Sequence, residues 1–355
     1  MKSILILTMY GNLAASSRQR VIQYVPALEL HGFNVKIEPL FPNEYLKNIF
    51  NNNKTSYLKV LSWYLRRLRI IFSSSKYDMI WIQYEIFPHL PSIFERVILL
   101  FNKNIILDFD DAIFHKYDLW GNFLTKFFLS NKLELLSKKA KTIICGNNYI
   151  KNWAEQYCKN TILIPTVVDY KKYSQLTSFN NDSVFTLGWI GSPATWLYMA
   201  PLIPTLTELT KKYNFKVLIV GSGIVSTKNS NFIYKSWSEK EEIQDLSQMD
   251  VGIMPLFNDP WALGKCGYKL IQYMACSKAV IASPVGVNQE IIEDGDNGLF
   301  ATSLADWEKA ITSLLFDKDL RKRMGYAGSQ KVKNEYSLES QKKKLLKLIA
   351  KIADE

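Results

Sequence analysis

Gly264-Lys265-Cys266-Gly267-Tyr268-Lys269 places two lysines and two glycines at the start of the helical stretch Leu270–Cys276. Lysine is a point-charge partner for a phosphate oxygen, and glycine lets backbone approach a ligand closely. The bland reading of this segment is a solvated basic loop. Gly191-Ser192-Pro193 follows an apolar run. Ser192 suits a helix cap and Pro193 a first turn, where unpaired N–H groups and the helix dipole favour an anion. An ordinary strand-to-helix turn is the other reading. Pro284-Val285-Gly286-Val287-Asn288 closes a further strand and opens the helix that holds Glu290. Asp108-Phe109-Asp110-Asp111 ends another strand, with His115 shortly after. Carboxylates there need only a hydrogen-bond partner or water, and helix capping accounts for them as well as a ligand does. His115 has the pKa range of an acid/base group, and equally it is part of a packed surface.

These residues need elements to position them. Ile4–Thr8, Asn34–Ile37, Met79–Gln83, Ile105–Leu107 and Thr142–Cys145 are short apolar runs that read as buried strands. Ser17–Leu30 has helical spacing. A second progression runs through Phe185–Ile190, Lys216–Val220, Val251–Pro255 and Ala279–Ser283. Strands alternating with helices imply parallel sheets covered on both faces, in an α/β protein of two Rossmann-like, doubly wound halves facing a central cleft. The expected layout is a domain over 1–166, a linker over 167–183, a domain over 184–335, and a helix over 336–355 returning to the first domain.

The 355 residues suffice for two domains, and 48% hydrophobic with 22% charged residues is a globular balance. A formal charge of +11 calls for acidic partners. Four cysteines and three histidines show no metal-ligand spacing, so neither a metal nor a cofactor is expected. No run is long enough for a transmembrane helix, and the apolar start is too short for a secretion signal, so the expected location is cytoplasmic. A dehydrogenase is disfavoured because no G-x-G-x-x-G follows the first strand, and nucleic acid because no reader motif appears. Lys54, Lys59, Arg66, Arg67, Arg69 and Lys76 alternate with aromatic and apolar residues, with no acid among them. Two readings stand: a helix on an anionic membrane at the inner face of the plasma membrane, or a domain helix with a solvated basic face.

Gly264–Ala275, then Ala279–Ile292, then Asp294-Gly295-Asp296-Asn297-Gly298 resemble, in order, the motifs of glycosyltransferase family 4. Ile164–Asp169 resembles that family's interdomain segment, and Ser16–Arg20 a first-helix start of some bacterial members. Two departures stand out. Gly264 and Gln272 occupy the places of the family's paired glutamates, and Thr195-Trp196 stands where an arginine-lysine pair is usual. The form Gly264–Ala275 resembles a branch of bacterial surface-polysaccharide transferases.

The resemblance implies a GT-B fold without bound metal, and retaining transfer from a nucleotide-sugar to a glycan or lipid-linked acceptor. Gly191, Ser192, Gly267, Tyr268, Gln272, Gly286, Val287, Asn288 and Glu290 would bind the donor. Lys265 and Lys269 would neutralise the leaving diphosphate, and Gln272 would keep hydrogen bonds to ribose hydroxyls. Asp110, Asp111 and His115 join the catalytic set, with Gly11 and Arg18 on the acceptor or phosphate side. A non-hydrolysing nucleotide-sugar epimerase shares the fold, and a catalytically silent nucleotide-sugar-binding protein would explain the lost glutamates.

Overall fold

The structure is a computed structural model and describes residues 1–50, 53–119, 122–175, 184–223 and 229–354. The chain forms two compact units. The first comprises Met1–Thr166, Gly264–Cys266 and Gln341–Glu355; the second comprises Val167–Leu263 and Gly267–Ser340.

The first unit is built on six parallel strands: β1 (Lys2–Tyr10), β2 (Phe33–Phe41), β3 (Met79–Gln83), β4 (Ile105–Phe109), β5 (Thr142–Cys145) and β6 (Thr161–Leu163), in the order β2-β1-β3-β4-β5-β6. Ile4, Leu5, Ile6 and Leu7 are all fully buried, because helices cover both faces of the sheet and leave no polar side for alternation. The expected single helix over Ser17–Leu30 is two, Ala15–Arg20 and Val25–Leu30, joined by a 3-10 turn. Pro26 in the first turn of the later helix has no N–H to continue an α ladder from the earlier one.

The second unit has β7 (Thr186–Ile190), β8 (Lys216–Val220), β9 (Phe232–Lys235), β10 (Val251–Met254), β11 (Ala279–Ala282) and β12 (Leu299–Phe300), all parallel in the order β12-β11-β10-β7-β8-β9. Its strand residues divide between two apolar clusters with period two. Leu187, Trp189, Ile253 and Ile281 go to one, and Ile190, Met254, Val280 and Ala282 to the other. The Ile203–Lys212 and Leu304–Phe316 helices close the first cluster through Leu206 and Ile311. Tyr268–Ala275 and Lys318–Glu335 close the second through Leu270 and Val332. Each such side chain contributes about 1.5–3 kcal/mol by leaving water.

The start of the expected linker belongs to the second unit. Tyr170–Ser174 is a helix capped by the Asp169 side chain, and its Tyr173 is buried in the core. Residues 176–183 of that linker lie outside the described residues. Three strands without a strong apolar run, β6, β9 and β12, were not expected.

Candidate functional site

In the second unit the phosphate-type segments meet at the carboxyl end of the sheet. The Tyr268–Ala275 helix begins at Gly267, which has φ 65° and ψ 17°. A Cβ there would stand 2.4 Å from Ile291 Cδ1, so both the dihedral and the close packing require glycine. Lys269 Nζ lies 5.7 Å from the centroid of the Trp189 ring at the end of β7. The same ring closes on Gly191, whose missing Cβ would lie 2.4 Å from it. The lysine charge is therefore held over an aromatic face beside the strand end.

Tyr268 and Gln272, one helical turn apart, both reach Tyr173. The Tyr268 and Tyr173 hydroxyls are 3.2 Å apart, and Gln272 Nε2 donates to the Tyr173 hydroxyl at 3.3 Å. Tyr173 donates to Glu242 Oε1 at 2.6 Å, and Trp237 Nε1 donates to Glu242 Oε2 at 2.8 Å. Gln272 is thus buried in a polar network that also holds the Glu242 carboxylate. Glu242, Tyr173 and Trp237 carried no sequence signal.

At the Gly191 turn Ser192 is the cap residue and Pro193 stands in the first turn, as expected, but the element is short. Pro193–Thr195 is a 3-10 turn, the Gly191 N–H donates to Val220 O at 2.9 Å, and the Ser192 N–H donates to Thr195 Oγ1 at 3.0 Å. These two N–H groups are already satisfied, so an anion there would rely on Lys269. Gly286, φ 55°, packs its α-carbon under Leu263 O, and Val287 caps the one-turn helix Asn288–Ile291. Asn288 is fully buried: Nδ2 donates to Ser283 O at 3.0 Å, and Oδ1 has no hydrogen-bond partner. Glu290 is exposed on the same turn.

A second constellation lies in the first unit at the carboxyl ends of β1, β3 and β4. Asp108 Oδ1 accepts from Arg20 Nε at 3.0 Å and Nη2 at 2.8 Å, and Oδ2 accepts from Trp81 Nε1 at 3.2 Å. Burial opposes the Arg20 charge; Asp108 and then Asp110 more than offset it and hold the guanidinium proton above its ordinary range. Asp110 follows, buried. Burial first and the Asp111 charge second push its carboxyl up to about 7, against Arg20 and a hydrogen bond from Tyr84. Tyr84 is itself in the left-handed region at φ 66°, and its N–H donates to Asp108 O at 2.9 Å. Buried atoms without a hydrogen-bond partner here include Asp110 Oδ1, an acceptor, and Gln83 Nε2, a donor.

The capping reading of Asp110 and Asp111 does not hold, since the helix His115–Asp118 has Phe114 as its cap residue and no side-chain cap. His115 is packed: Nδ1 lies 2.9 Å from Asp118 Oδ1, and Nε2 lies 2.8 Å from the Tyr149 hydroxyl. Neither nitrogen can take a proton from a ligand without giving up a bond. Arg18 Nη1 donates to Asn12 O and Leu13 O, both at 2.9 Å, and so clamps the loop that Gly11 opens. Asn147 Nδ2 donates to Lys265 O at 2.9 Å, which fixes the backbone that carries that half-buried lysine. Among the described residues no group of three or more His, Cys, Asp or Glu is placed to hold a metal ion.

Residues 184–317 match the family described as glycosyl transferases group 1. A relative in Methanocaldococcus jannaschii, named uncharacterized glycosyltransferase MJ1178, is 25% identical over 240 residues, which are 62% of this chain and 60% of that protein. The match therefore spans less than two thirds of that relative. Among solved structures, sucrose-phosphate synthase from Thermosynechococcus elongatus superposes with a TM-score of 0.70 at 15% identity, covering 99% of both chains. Alr3699/HepE from Anabaena, solved in complex with UDP and glucose, superposes with a TM-score of 0.68 at 14% identity, covering 99% of this chain and 100% of that one. The fold is of the GT-B glycosyltransferase type, with two Rossmann-like units.

Proposed function

We propose, on the premise that residues 184–317 carry a group 1 glycosyl transferase domain, that the chain moves a sugar from a nucleotide-sugar to a glycan or lipid-linked acceptor. The reading extends to retaining transfer, within glycosyltransferase family 4 and its bacterial surface-polysaccharide branch, in the cytoplasm. The observation that carries it is the Gly267 turn, with Lys265 and Lys269 on either side of it and Lys269 placed over Trp189.

Breaking the bond between the anomeric carbon and the diphosphate puts negative charge on the leaving oxygen. A lysine held in place beforehand, as Lys269 is over Trp189, stabilises that charge without reorganising during the reaction, and Lys265 is assigned to the same charge. With a diphosphate that can take the acceptor's proton, no strong protein base is needed, which fits a chain with Gly264 and Gln272 at the glutamate positions. Tyr268, Gln272, Gly286, Val287, Asn288 and Glu290 are assigned to the donor. In the first unit, the unpaired acceptor on Asp110 and the unpaired donor on Gln83 match a hydroxyl, which both gives and takes a hydrogen bond. These two are assigned to an acceptor hydroxyl.

Incubation with UDP-, GDP- and TDP-sugars should raise the melting temperature for one base, because a ligand of the folded state stabilises it. With that donor, Lys265→Ala and Lys269→Ala should each lower kcat by about tenfold or more while melting as the parent does. Unchanged kcat in both folded variants overturns the assignment of the lysines. Conversion of the donor to an epimer without any acceptor overturns transfer itself.

A further inference from the structure

The Tyr57–Phe72 helix leaves a stripe of apolar side chains in the open on the side away from its buried face. It buries Trp63, Arg67 and Ile71. Leu58 is 78% exposed, Leu61 55%, Leu65 50% and Phe72 53%, and their spacing of three, four and seven residues puts them in one stripe. Of the basic residues expected on a solvated face, Arg67 donates through Nη2 to Thr8 O at 2.8 Å and Glu38 O at 2.9 Å, and Arg66 donates to Pro39 O at 2.5 Å. Both hold the helix to the sheet. The helix Phe123–Leu129 is more open still: Phe123, Leu124, Phe127 and Phe128 are all more than half exposed, and Leu129 alone is buried.

These helices share one side of the first unit. The connections β2 to β3, β3 to β4 and β4 to β5 step in the same direction along the strand order, so right-handed crossovers place them on one face, opposite the connection from β1 to β2. Most of the exposed large hydrophobic side chains among the described residues fall between Ile49 and Phe128, within this part of the chain. Exposed cations punctuate the same segments: Lys54, Arg69, Lys76 and Lys126. An apolar face of this extent marks a surface that something covers.

We propose that this face docks on an anionic lipid surface. Phe123, Phe127 and Phe128 enter the boundary between headgroups and acyl chains, the Leu58–Phe72 stripe lies alongside, and the four cations meet lipid phosphates. Charge decides between this and a second copy of the chain. A two-fold contact would set the cations against their own equivalents, whereas lipid phosphates neutralise them. The proposal is independent of the transfer chemistry, because it reads binding and not turnover.

The test is sedimentation of the full chain with vesicles of phosphatidylglycerol mixed with phosphatidylcholine, and with phosphatidylcholine alone. Wild type should favour the anionic vesicles. Phe123→Ser, Phe127→Ser and Phe128→Ser together should lower partitioning by about tenfold or more, at unchanged melting temperature, since the side chains are exposed in the free protein. Lys54→Gln, Arg69→Gln and Lys76→Gln together should remove the preference for phosphatidylglycerol. Equal binding of wild type and the serine variant overturns the proposal, as does equal binding to the two vesicle types. So does a wild-type dimer in solution that the serine variant converts to monomer without a change in vesicle binding.

Discussion

Asp110 has a folded-state carboxyl pushed up to about 7 from an ordinary 3.8, with burial as the first cause and Asp111 as the second. The folded chain then binds that proton more tightly than the unfolded one. The stabilisation is fully present below the ordinary value and drains away as pH rises through about 7. Asp110→Asn should flatten the fall in stability between those limits and raise stability at pH 8 by ~1–3 kcal/mol, read from urea melts at acid and alkaline pH. Lys132 works the opposite way. Its Nζ lies 2.5 Å from Glu85 Oε2 and 3.2 Å from Glu95 Oε1, and all three side chains are buried. Lys132→Ala leaves two carboxylates without their counter-charge and should cost ~3–5 kcal/mol in the same melts. Gly267 is the third sensitive residue: Gly267→Ala strains φ and meets Ile291, for a loss of ~1–3 kcal/mol. The placement of Asp110 and Lys269 had a trace in the sequence, because carboxylates at a strand end and lysines beside glycines are unusual company. Tyr84 had none. A tyrosine at positive φ looks like any other tyrosine, and the partners that make it matter lie on other strands.

At the scale of elements, the strands were the legible part. Met79–Gln83, Thr142–Cys145 and Lys216–Val220 emerge with the bounds that their apolar runs mark. Phe232–Lys235 was missed because it sits at the sheet edge with Ile233 exposed, so it never needed an apolar run. Composition left two readings open for the Tyr57–Phe72 helix, and it did not show that Arg66 and Arg67 turn inward while Arg69 stays exposed, since composition alone does not tell which way an amphipathic helix faces. Helix contacts escape the sequence for a related reason. Gly325 in the Lys318–Glu335 helix costs about 1 kcal/mol of helix propensity relative to alanine. A Cβ there would lie 2.1 Å from Ser277 O, so the glycine is what lets this helix close on the turn before β11. Gly325→Ala should therefore lower stability by ~1–3 kcal/mol despite the better propensity, measurable as a lower urea midpoint at unchanged slope.

For the whole molecule, the two-unit layout carries a consequence for how the chain is made. Residues 341–355 are grouped with the first unit, yet the second unit intervenes between them and residue 166. Leu345, Ile349 and Ile352 are buried, Lys344 Nζ donates to Leu163 O at 2.6 Å, and Lys2 donates to the Ala353 carbonyl. A ribosome delivers the N-terminal side first. The first unit must therefore wait, with an apolar flank uncovered, while almost all of the second is synthesised and able to fold. The later half of the message finishes its own core before the earlier half can. Slowing translation late in the message would prolong the interval in which a chaperone or protease can find that open flank.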